Sequence, residues 1–131
     1  MYAKNDLIAV GHSAGAHLLA NFLDTRCIKH FHLLSGIYDL NPIRHTHLNH
    51  ALQLRQSEIV TYSPVLQNIT INHAQVSIVY GDQELPELKE QSQNFSQKLT
   101  QDHIPHMVHM LSATNHYNIL DHFFQEYLFT Q

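Results

Sequence analysis

The pentapeptide Gly11-His12-Ser13-Ala14-Gly15 constrains this chain more than any other stretch. It follows the apolar run Leu7-Ile8-Ala9-Val10 and precedes the helix-favouring run Ala14 to Leu23, so a serine flanked by glycines falls on a strand-to-helix turn. A serine on such a turn stands clear of the sheet, and a glycine on either side lets strand and helix crowd together without a clashing Cβ. With four glycines in 131 residues, a Gly-x-Ser-x-Gly arises by chance in roughly one chain of this composition in a hundred. The arrangement is a nucleophile elbow and points to Ser13 as an activated hydroxyl. The plainer alternative is a tight turn in which Ser13 caps the helix.

The rest of the chain reads as a scaffold for that turn. After a helix ending around Asp24 to Cys27, Phe31 to Ile37 forms a second strand, completing a β-α-β unit. Tyr38 to Pro42 is a loop, with Pro42 holding Asn41 out of helical conformation. Ala51 to Val60 is a short helical candidate closed by Ser63-Pro64. Val76 to Tyr80 is a third strand, rich in β-branched residues and ending at Gly81. Leu88, Phe95 and Leu99 recur at helical spacing through a polar background, giving an amphipathic helix from about Pro86. Met107 to Leu111 is the fourth strand. Tyr117, Leu120, Phe124 and Leu128 share one helical face and close the chain. Strands alternating with helices imply an α/β fold of about four parallel strands with flanking helices, residues 1–131 forming one domain.

Composition narrows the partners. Seven Lys and Arg against eleven Asp and Glu give a formal charge of -4 with no basic cluster, which argues against nucleic acid and anionic membrane. A single cysteine, Cys27, rules out an internal disulfide and suits a reducing compartment. No apolar run approaches a membrane span and no signal peptide is legible, so a cytoplasmic protein is expected. The 13 histidines include His30 and His32, then His45, His47 and His50, then His103, His106 and His109. No cluster brings a cysteine or carboxylate at ligand spacing, so surface and core histidines are expected rather than a metal site, and no cofactor is required.

A serine hydroxyl is a weak nucleophile and needs a base to take its proton and an acid to orient that base. In the fold that carries this elbow they follow in the order serine, acid, histidine, on loops at the carboxyl ends of strands. The loop after the third strand offers Asp82 and Glu84, and whichever is unused would cap the helix from Pro86. The loop after the fourth strand offers His116, poised to reach back over the sheet. His103, His106 and His109 precede or lie within the strand and point elsewhere. The backbone N–H of Ala14 would hold part of the oxyanion.

These residues resemble the kynurenine formamidase (arylformamidase) branch of the α/β-hydrolases. Gly11 to Leu18 looks like that family's nucleophile segment, and Ser35 to Ile43, with Thr46, Asn49 and Ser63-Pro64, is similar to its stretch after the next strand. Glu84 to Leu88 with Gln91-Ser92 resembles the acid loop and aligns Glu84 with the family's acid. Asn115 to Ile119 resembles the catalytic histidine segment. The resemblance implies hydrolysis of N-formyl-L-kynurenine to formate and kynurenine, or of another small formyl amide or ester.

Relatives in that family carry further strands and a His-Gly-Gly oxyanion segment ahead of the elbow. The four glycines here are Gly11, Gly15, Gly36 and Gly81, so that segment has no counterpart. The expectation is the C-terminal half of the fold, with the N-terminal strands missing and the first strand left as an edge. Losing one oxyanion donor typically costs around a hundred- to a thousandfold in turnover. Three readings follow: a hydrolase completed by homodimerisation or by a separate N-terminal hydrolase fragment, an inactive remnant that binds a partner, and a histidine-based metal binder.

Overall fold

The computed structural model of the chain describes residues 7–127, with side chains through Gln125. Four strands, β1 (Leu7–His12), β2 (Ile28–Leu34), β3 (Gln75–Gly81) and β4 (Met107–Leu111), form one sheet in the order β1-β2-β3-β4. All three pairings are parallel. This is the expected α/β layout of four parallel strands with flanking helices. Every β-to-α turn at the carboxyl ends therefore opens on the same edge of the sheet.

The helices are α1 (Ala14–Ala20), α2 (Asn49–Leu52), α3 (Gln56–Tyr62), α4 (Pro86–Gln101) and α5 (Ile119–His122). Alternation along β2 and β3 sends Phe31, Leu33, Val76 and Ile78 to one face, where Ala16 and Ala20 of α1 and Phe95 and Leu99 of α4 close a fully apolar core. The Tyr38 ring stacks on Phe95 with centroids 4.2 Å apart. The other face carries a smaller cluster, Leu34 and Val79 beneath Ile119 and Phe123. Among the described residues, β1 and β4 are edges, with Leu7, Ile8 and Met110 each more than half exposed. No helix among the described residues is long and apolar enough to cross a membrane.

Several local expectations are corrected. The second strand runs three residues earlier than the apolar run suggests, because Ser35 turns to φ 49° and its N–H bonds the Val79 carbonyl at 2.8 Å. The first helix stops at Ala20, where i-to-i+3 bonds such as Asn21 N–H to Leu18 O unwind it into turns. The single helix expected over 51–60 is two, α2 and α3, broken where Gln53 takes a left-handed conformation and Asn49 Oδ1 accepts the Leu54 N–H. Asn41 is helical in spite of the following Pro42, because Asp39 Oδ1 accepts its N–H at 2.9 Å and bends the chain into the Pro42–His45 3-10 turn.

The C-terminal helix presents a different face from the one its spacing predicts. Tyr117 is 87% exposed, whereas Ile119 and Phe123 are buried. The stripe is offset by one residue because Ile119 and Phe123 are the side chains that pack on Leu34 and Val79 of the sheet; beyond α5 the chain widens into a π-type turn over Phe123–Tyr127. Leu128, the last residue of the expected stripe, lies outside the described residues.

Candidate active site

Gly11 is buried at the end of β1, where a Cβ would lie 2.5 Å from the Gly15 carbonyl oxygen. Only glycine lets α1 leave β1 so steeply. Gly15 has open space where its Cβ would be, so the crowding that the motif implies falls on Gly11 alone. Between them Ser13 adopts φ 57°, ψ -113°, a conformation L-residues avoid and one that costs of order 1–3 kcal/mol. Its N–H bonds the Leu34 carbonyl at 2.9 Å, tying the elbow to β2. The side chain makes no N-capping bond to α1, so the capping alternative is not realised. Its hydroxyl is directed instead at an imidazole.

That imidazole is His116, whose Nε2 lies 3.2 Å from Ser13 Oγ across 103 residues of sequence. Its Nδ1 lies 2.9 Å from Glu84 Oε1. A carboxylate only accepts, so Nδ1 carries the proton and Nε2 presents its lone pair to the serine hydroxyl. Glu84 is 5% exposed and its second oxygen accepts the Gly81 N–H at 2.8 Å, so both oxygens are held. It also sits one residue before Leu85, the N-cap of the 16-residue α4, where the helix dipole favours negative charge. The elements thus deliver the base and the acid in line with the serine.

Asp82, the other candidate acid, is not against the imidazole. Its Oδ1 accepts the Thr114 N–H at 3.1 Å, and the Gln83 N–H bonds the Thr114 carbonyl at 2.9 Å. Asp82 therefore clamps the loop that carries His116 rather than capping α4, its carboxylate engaged by the Thr114 N–H. Gly81 makes the approach possible, since a Cβ there would overlap the Thr114 carbonyl. Ala14 is the first residue of α1, and its N–H belongs to the turn that has no intrahelical acceptor. That donor lies beside Ser13, at the carboxyl edge of the sheet.

The other histidines go elsewhere. His30 and His32 stack with ring centroids 3.8 Å apart, and His30 Nε2 lies 2.8 Å from Ser77 Oγ. His106 meets Ser96 at 2.7 Å. Burial holds His30, His32 and His109 below the ordinary imidazole value, His32 down to about 4. Among the described residues no group of three His, Cys, Asp or Glu is arranged to hold a metal ion.

Sequence reasoning missed two supports. Gln91 is buried in α4, where its Oε1 accepts the Tyr38 and Asp39 N–H groups at 2.9 Å and its Nε2 donates to the Asp39 carbonyl. The available signal was a polar residue in phase with Leu88, Phe95 and Leu99. Asn115 and Asn118 bracket His116, each side chain accepting from the other's N–H. An Asn three residues from an Asn around a candidate base is a readable turn signature.

No family model matches the sequence, and no curated protein matches it. Solved structures do. A provisionally assigned thioesterase from Silicibacter is 24% identical with a TM-score of 0.73, over 86% of this chain and 44% of that one. The Pyrococcus horikoshii acylaminoacyl peptidase is 13% identical with a TM-score of 0.72, over 91% and 21%. The hyperthermophilic esterase from Pyrobaculum calidifontis is 13% identical with a TM-score of 0.65, over 88% and 46%. The chain thus spans less than half the length of each. Its four parallel strands, flanking helices and strand-turn-helix at Ser13 are those of part of an α/β-hydrolase fold.

Proposed function

We propose that the chain carries the catalytic half of a serine hydrolase acting on small amides or esters. The observation that supports this most is the line Ser13 Oγ, His116 Nε2, His116 Nδ1, Glu84 Oε1, with steps of 3.2 and 2.9 Å, set on a strained elbow. In this reading His116 takes the Ser13 proton as Oγ attacks a carbonyl carbon, and Glu84 stabilises the imidazolium. The Ala14 N–H holds part of the oxyanion. His116 then returns the proton to the leaving amine or alcohol, and water releases the acyl group by the same steps in reverse.

N-formyl-L-kynurenine is the substrate we propose, on the resemblance of the elbow, acid and histidine segments to kynurenine formamidases. A general carboxylesterase of the same fold is the second reading, favoured by the esterases among the similar structures. Completion of the sheet and of the oxyanion site by a second copy, or by a separate N-terminal hydrolase fragment, is part of the proposal. An inactive chain that only binds a partner through its edge is the opposing reading, suggested by the exposure of Leu7 and Ile8 on β1.

Covalent labelling of the purified chain with a fluorophosphonate, beside Ser13→Ala, separates these. Labelling of the parent and none of the variant is expected. A folded chain that does not react would refute catalysis by this chain alone. Release of formate from N-formyl-L-kynurenine, compared with hydrolysis of p-nitrophenyl acetate, discriminates the two substrate readings.

A further inference from the structure

His12 occupies the first variable position of the elbow and has no part in the chemistry proposed above. It is half-buried, and its Nε2 lies 2.8 Å from the backbone carbonyl oxygen of His116, 104 residues away. A carbonyl oxygen only accepts, so His12 donates from Nε2–H. The two imidazoles also touch, with centroids 4.8 Å apart and planes inclined at 39°. Two independent contacts thus join the residue before the nucleophile to the residue that activates it.

The rest of the histidine loop is held from other directions. Asp82 and Gln83 grip Thr114 at its start. Asn115 and Asn118 brace 115–118 against each other. These bonds tie the loop to the acid side and to itself, and none refers its position to the elbow. The spacing that matters for proton transfer is Ser13 Oγ to His116 Nε2, and it depends on where the backbone of each residue is held. The His12 tether supplies that reference, because His12 ends β1 directly before Ser13, on a backbone fixed by its pairing with β2 and by the Ser13 N–H bond to the Leu34 carbonyl.

We infer that His12 is a positioning residue, which sets the Ser13 to His116 distance by holding the His116 backbone against the elbow. The inference rests on the proposed hydrolase reading, and its test has one arm that does not. His12→Phe keeps the ring against His116 and removes the donor; His12→Gln keeps an N–H of similar reach and removes the ring. With a fluorophosphonate, His12→Phe is expected to lower the limiting rate of Ser13 phosphonylation about tenfold with little change in half-saturating concentration, and His12→Gln to recover most of it. In hydrogen exchange read by mass spectrometry, peptides spanning 112–118 should exchange faster in His12→Phe while β3 and α4 peptides stay as in the parent.

Equal limiting rates in parent and His12→Phe, or unchanged exchange over 112–118, would overturn the positioning role. Should His12→Phe not fold, His12→Asn takes its place, since its amide ends where Nδ1 does and falls short of the carbonyl. If the parent itself does not react, the hydrolase reading for this chain fails, and the exchange comparison still decides the tether.

Discussion

The two faces of the sheet are built on different physics. The face under α1 and α4 is dominated by one large apolar cluster, from Phe31 and Ile78 to Phe95 and Leu99. The face under α5 shares its space between a small apolar cluster and buried polar groups, His32 and Ser77, with His30 stacked alongside. The candidate site draws on both. Ser13 and Glu84 precede α1 and α4 on the thick face, whereas His116 precedes α5 on the thin one. Nucleophile and acid are thus anchored by the bulk of the core, and the base by the weaker layer with help from loop bonds.

The difference should appear first in how each face fails. Phe95→Ala removes a fully buried ring that stacks on Tyr38 and is expected to cost about 3–5 kcal/mol. Urea unfolding should register that loss equally at pH 7 and pH 5, since the one titratable side chain of that cluster, Tyr38, is raised further above its ordinary alkaline range by burial. A loss confined to the lower pH would contradict the assignment of apolar packing to this face.

The thin face should instead respond to acid. His32 is held down to about 4 from an ordinary 6.5, by burial first and then by His30 and His109 beside it. A depressed folded value means that the unfolded chain binds the proton first as pH falls. The contribution is therefore fully present above pH 6.5 and is lost as pH descends through about 4, on the order of 3 kcal/mol for His32. His30 and His109 are lowered in the same direction. Stability measured between pH 7 and 4 should fall in the parent and flatten in His32→Phe; parallel curves would remove His32 from the account. Smallest of these effects, Ser77→Ala breaks the 2.8 Å bond to His30 and should cost about 1 kcal/mol. A midpoint shift in urea without a change of slope would register it.

Much of this architecture was legible before any coordinates. The strands show as β-branched or continuous apolar runs, and the fourth of these, Met107 to Leu111, has the same bounds in the fold. Ser13, the pair Asp82 and Glu84, and His116 can be singled out because each stands just past a strand, where a parallel sheet collects its loops. What escaped were choices made by bonds between distant residues. The break at Gln53, the early end of β2 at Ser35 and the turned face of α5 depend on Asn49, Val79 and the thin core respectively, and no local pattern carries them. Asp82 and Glu84 look alike in sequence, and only their distances to Thr114 and His116 separate the clamp from the carboxylate on the imidazole.

The sequence by itself determined the class of the fold and the order of its parts, because alternating periods of two and 3.6 and one Gly-x-Ser-x-Gly between a strand and a helix leave a chain of this kind few ways to bury its apolar residues. It also determined which loops could meet, since parallel strands bring all their carboxyl ends to one edge. Tertiary structure alone decided which groups do meet. That His116 hangs from His12, that Glu84 rather than Asp82 faces its ring, and that histidines fill part of one core follow from side-chain reach and burial between residues 32 to 104 apart, quantities that exist only once the chain is folded.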